Sequence, residues 1–67
     1  MSSLSRDMRS WRAVYRLNQQ SAADAMGVSV KTWQRWERGD SKPEVNNYRE
    51  LRQLLQQPPP GWQRLDV

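Results

Sequence analysis

In the segment GVSVKTWQRWERG, residues 27–39, Lys31, Gln34 and Arg35 place an ammonium, an amide and a guanidinium three and four positions apart. A helix gathers residues at that spacing on one side. Those groups bond both phosphates and base edges in a DNA major groove, so the chemistry they announce is recognition of a polyanion. Trp33 and Trp36 are also three apart, and a helix this short cannot bury two indoles against itself. With the indoles turned toward a core built by other segments, the cationic side faces outward.

Catalytic chemistry is poorly supplied. The chain has no cysteine and no histidine, which removes the usual thiolate and imidazole zinc sets. Asp24, Glu37, Asp40 and Glu44 bring carboxylates, but the sequence sets no base or metal cluster beside them. The reading is a binding protein rather than an enzyme, with no metal and no cofactor.

A chain of 67 residues allows one domain with a small core, only marginally stabilising on its own. Eleven Lys and Arg against seven Asp and Glu give a net charge of +4 and a pI near 10.4. That balance favours a polyanionic partner, nucleic acid ahead of an anionic membrane. A membrane-surface peptide would need one long helix, whereas Gly27, Gly39 and Pro43 divide this chain. No stretch approaches the roughly 20 apolar residues that cross a bilayer, and the amino end lacks a signal-peptide apolar run. The expectation is a cytoplasmic protein with no membrane partner.

The elements that must position the cationic face follow from spacing and punctuation. Residues 1–5, MSSLS, are expected to form a flexible arm. Met8, Trp11, Val14 and Tyr15 recur three and four apart between Arg6 and Arg16, which predicts a first helix with one apolar face. Asn18 can cap a second helix over about 19–26, and Gly27 supplies a backbone free to turn sharply. Ser29 can cap a third helix over about 30–38, stopped by Gly39. After the loop DSKPEVN, Asn46 or Asn47 can open a fourth helix with Tyr48, Leu51, Leu54 and Leu55 as its apolar stripe. Pro58, Pro59 and Pro60 end it by about Gln57. The predicted core is Met8, Trp11, Tyr15, Met26, Trp33, Trp36 and Leu51, with Ala22 and Ala23 small enough to let helices approach.

The stretch LNQQSAADAMGVSVKTWQRWERG, with RSWR before it, resembles the helix-turn-helix of the lambda-repressor-like family of XRE and Cro-type regulators. Leu17, Asn18 and Gln19 match the start of the second helix, and Ala23, Gly27, Val28 and Ser29 match the turn. Thr32, Trp33, Trp36, Glu37 and Gly39 match the third helix and its exit. Ala22 stands where the family usually has leucine and Trp33 where it has isoleucine or valine, so a loss and a gain of volume offset each other. Arg16 replaces a common glycine. The resemblance implies an all-α, compact four- to five-helix domain over residues 6–56, with a proline-rich, extended C-terminal tail over 57–67.

It also implies roles. The third helix enters the major groove and the second lies across the backbone. Lys31 and Arg35 are the expected base readers, Gln34 can bond adenine, and Val30 can touch a thymine methyl or pack on the protein instead. Gln19 matches a family glutamine that contacts phosphate. Ser29, Thr32, Arg38 and Lys42 are further expected phosphate contacts, Ser29 having a pure capping role as its alternative. Arg12 and Glu37 match a family ion pair that orients the reading helix rather than touching DNA.

One helix in one groove reads few base pairs, so a homodimer on a palindromic operator of double-stranded DNA is expected. Its candidate interface is Tyr48 and Leu55 with Trp62 and Leu65, unless Trp62 and Leu65 fold back over their own domain. The implied function is a repressor that occludes a promoter, of the kind found in phages and mobile elements. Its alternatives are an antitoxin that represses its own operon, and a helical protein-interaction module that does not bind DNA.

Overall fold

The computed structural model describes residues 3–61. Four helices follow one another: α1 (Ser3–Tyr15), α2 (Gln19–Met26), α3 (Val30–Arg38) and α4 (Val45–Leu54). The described residues contain no strand. α3 lies against both α1 and α2, and α4 lies against α2. The result is an all-α four-helix domain.

Three of the helix ends close in the same way. Gly27 has φ +80° and Gly39 φ +79°. Beyond each, the next N–H donates five residues back: Val28 to the Ala23 carbonyl at 3.0 Å and Asp40 to the Arg35 carbonyl at 2.9 Å. This is the Schellman pattern, which uses up two orphan carbonyls and needs a left-handed residue. At the end of α1 the same bond runs from Leu17 N–H to the Arg12 carbonyl at 2.8 Å, but the left-handed residue is Arg16, φ +55°. The helix starts are equally local. Asn18 Oδ1 accepts from Ser21 N–H at 2.7 Å, and Ser29 Oγ accepts from Thr32 N–H at 3.2 Å. Each cap satisfies one orphan donor of its first turn.

The core comprises Leu4, Met8, Trp11, Ala22, Ala23, Trp33, Trp36, Leu51 and Leu54. Trp33, Met8 and Leu51 are its largest fully buried side chains. Trp11 stacks edge-on to Tyr15 with centroids 5.8 Å apart, and its ring lies 6.3 Å from that of Trp33. The Trp11 indole N–H donates to the Gln57 carbonyl at 2.9 Å, tying the turn after α4 back to α1. Tyr15 and Met26 pack on this core but are only half-buried.

Several sequence expectations change. Residues 3–5 are not a flexible arm: α1 starts at Ser3, Leu4 is buried, and the buried Ser5 hydroxyl donates to the Trp36 carbonyl at 2.9 Å. One apolar contact and one hydrogen bond fasten that end. Val14 is 70 % exposed and does not belong to the buried face, because the face follows Leu4, Met8, Trp11 and Tyr15 at the 3.6-residue period. α4 opens at Val45 after Glu44, which makes no side-chain cap bond, and not at Asn46 or Asn47. Four helices span the described residues and no fifth is present among them. The chain past Leu54 continues as a turn into the prolines, and Pro59 is buried, so Gln57 and Pro59 belong to the packed body rather than to a separate tail. Trp62 and Leu65 lie outside the described residues.

Candidate nucleic-acid interface

α3 is two-sided. Trp33, Trp36 and Glu37 are buried, while Lys31, Arg35 and Arg38 are exposed and Gln34 is half-buried. Lys31, Gln34, Arg35 and Arg38 sit at i, i+3, i+4 and i+7 and therefore form one stripe. Arg35 and Arg38 also occupy the last turn of α3, where positive charge is favoured by the helix dipole.

Behind that stripe, Glu37 is the hub that sets the helix pose. It is 4 % exposed, and its carboxylate accepts four bonds. Arg12 Nε donates to Oε2 at 2.6 Å and Arg12 Nη2 to Oε1 at 2.9 Å. Gln19 Nε2 donates to Oε1 at 3.2 Å and Trp33 Nε1 to Oε2 at 2.5 Å. Burial alone would push the Glu37 carboxyl up. The bonds from Arg12, Trp33 and Gln19, with the Arg12 charge, outweigh burial and hold it below its ordinary value. Arg12 adds a bond from Nη1 to the Leu17 carbonyl at 3.2 Å. One buried carboxylate thus ties α1, the start of α2 and α3 into a single unit.

The network reaches the outer face through a glutamine pair. Gln34 Nε2 donates to Gln19 Oε1 at 2.9 Å, so Gln34 is held by Gln19, which is held by Glu37. The bond uses one amide hydrogen of Gln34 and leaves its carbonyl oxygen and second amide hydrogen, an acceptor beside a donor.

The remaining residues proposed from sequence divide clearly. Ser29 is exposed and its hydroxyl serves the cap, bonding both Thr32 N–H and, at 2.9 Å, Thr32 Oγ1. Thr32 is half-buried, and Val30 is half-buried against the core, so only part of each side chain is open to a partner. Lys42 is exposed in the loop after α3. Arg38 makes a loose pair with Asp40 at 3.7 Å, with both side chains more than half exposed. Tyr48 and Leu55 lie on α4 and the turn after it, Tyr48 beneath the Arg52 guanidinium at 5.5 Å and Leu55 packed against the core. Sequence reasoning missed the Ser5 anchor, the Asp7–Arg52 ion pair at 2.6 Å and the role of Gln19 as a bridge. For Ser5 the signal present was Leu4, whose spacing to Met8 continues the α1 stripe by one turn.

Comparison with family models, with curated proteins and with solved structures returns no match for this chain. The fold and site define a four-helix, all-α domain that displays a short cationic helix braced from behind by a buried carboxylate paired with a half-buried arginine.

Proposed function

We propose that the chain is a sequence-specific double-stranded DNA-binding regulator of the lambda-repressor-like helix-turn-helix type. In this reading α2 lies across the backbone and α3 enters the major groove. The observation that carries it is the stripe Lys31, Gln34, Arg35 and Arg38 on a helix whose opposite face is fixed through Glu37 to α1 and α2. Such bracing would hold the reading groups in one pose before DNA arrives, which lowers the ordering cost of binding.

Lys31 and Arg35 take guanine O6 and N7 or phosphate oxygens in this account. Gln34 offers the acceptor and donor that adenine N6 and N7 require, and Gln19 fixes its amide plane. The α2 end beside Gln19 suits a phosphate because first-turn backbone N–H groups point outward there. Arg38 and Lys42 extend the phosphate contacts, and Ser29 and Thr32 serve chiefly to cap α3. A homodimer on a palindrome, joined through the α4 side at Tyr48 and Leu55, would supply two half-sites and act as a repressor by covering a promoter.

The test is a titration of a fluorescent duplex pool at several salt concentrations. Affinity should fall steeply as salt rises, and Lys31→Ala with Arg35→Ala should weaken it. Binding that is absent at low salt, with the fold intact, would leave a protein-interaction module as the better reading.

A further inference from the structure

A hollow of about 700 Å³ opens between the first turns of α1 and the loop after α3. Arg6, Arg9 and Ser10 line it from α1, and Arg38 and Lys42 line it from the other side, with Gly39 between. All four cationic side chains are exposed, and no carboxylate lines the hollow. Asp7, the acid on this part of α1, is engaged by Arg52 at 2.6 Å. Asp40, next to Gly39, holds Arg38 only loosely, at 3.7 Å, and such exposed pairs are weak. Arg9 spends only its Nε, at 3.5 Å from the Ser5 carbonyl. Four positive charges from two segments therefore face a shared space with most of their donors uncommitted.

Its position matters as much as its charge. Arg38 is both the last member of the α3 stripe and a wall of the hollow. Seven residues separate it from Lys31, about 10 Å along a helix axis. With the first turn of α3 at base edges, a point that far back lies near the rim of a groove roughly 12 Å wide, where the sugar-phosphate backbone runs. We propose that this hollow is a second phosphate site: Arg6, Arg9 and Ser10 join Arg38 and Lys42 around one backbone phosphate of duplex DNA outside the base pairs that α3 reads. The inference rests on the DNA-binding reading and adds α1, a helix with no sequence-reading role, to the footprint.

The test compares the full chain with an Arg6→Ala/Arg9→Ala variant on a preferred duplex and on a scrambled one, across a range of salt. Loss of one phosphate contact should lower the slope of log affinity against log salt by about 0.9. At ~0.1 M salt this corresponds to about eightfold weaker binding, on both duplexes alike. Arg6→Gln/Arg9→Gln should behave in the same way and serves if the alanine pair unfolds. An Arg16→Ala/Arg49→Ala variant removes equal charge away from the hollow and should keep the slope. An unchanged slope in the Arg6/Arg9 variants overturns this inference while leaving the DNA-binding reading standing. An equal drop in the Arg16/Arg49 control also overturns it, since general charge would then explain the effect. No salt-dependent duplex binding by the unsubstituted chain overturns both. If Arg6 and Arg9 only complement the α3 C-terminal dipole, stability would fall and the slope would not.

Discussion

Replacing Glu37 with alanine removes the acceptor of four hydrogen bonds at once. The two Arg12 bonds are charge-assisted, worth about 1.5–3 kcal/mol each, and the Trp33 indole N–H would be left buried without a partner at about 1–3 kcal/mol. These are not additive, because Arg12 is 23 % exposed and can recover some hydration. A loss of about 3–5 kcal/mol is the expected net. For 67 residues the whole stability is on the order of 3–10 kcal/mol, so the variant should be barely folded. Urea unfolding followed by tryptophan fluorescence and far-UV circular dichroism reads this directly. With a slope near 1 kcal/mol per molar urea, the midpoint should fall by at least ~3 M. The pH dependence gives a second reading. Despite burial, the bonds from Arg12, Trp33 and Gln19 hold the Glu37 carboxyl below its ordinary value. Its contribution is therefore complete above the ordinary value of 4.5 and is lost as pH falls through the lower folded value. Glu37→Gln should lack that acid-dependent part. A midpoint shift under ~1 M, or a coupling near zero in an Arg12→Ala/Glu37→Ala cycle, would refute the view that this pair fixes α3.

Three further outcomes follow from particular contacts. Arg16→Gly should raise stability by about 0.5–1 kcal/mol and the melting temperature by about 2–8 °C. The left-handed strain at φ +55° exceeds the entropy that glycine adds to the unfolded chain; a lower melting temperature would show that the arginine side chain compensates. Ser5→Ala should cost about 1 kcal/mol in a calorimetric or urea measurement, because the bond to the Trp36 carbonyl is buried; no loss would mean the start of α1 is not fastened there. Gln19→Ala should relax base preference chiefly at the position read by Gln34, since their bond orients the reading amide, and selection of duplexes by the variant would show whether the loss is instead uniform.

Local signals carried well into the fold. Asn18, Ser29, Gly27 and Gly39 act through bonds that span six residues or fewer, so their types alone place the starts of α2 and α3 and the ends that close them. The two-sidedness of α3 follows likewise from the spacing of its tryptophans and cations. What escaped is non-local. Ser5 meets Trp36 across 31 positions and Asp7 meets Arg52 across 45, and no periodicity announces such partners. The Arg12–Glu37 pair, 25 positions apart, is visible from sequence only through a family resemblance. Val14 was misplaced because Val14 and Tyr15 both fit a three-to-four spacing from Trp11, and only the position of Leu4 selects between them. Gln19 shows the same limit at the site, for an exposed-looking amide turns out to face a buried carboxylate on another helix.

Selection of duplexes from a fully randomised pool by the intact chain is the most direct test that the α3 stripe reads sequence. A roughly palindromic site with half-sites about one helical turn apart should be enriched. Lys31→Ala and Arg35→Ala should each relax particular base pairs within it rather than weaken all sequences alike. A pool that stays random at low salt, from protein whose four helices are intact by circular dichroism, would contradict it.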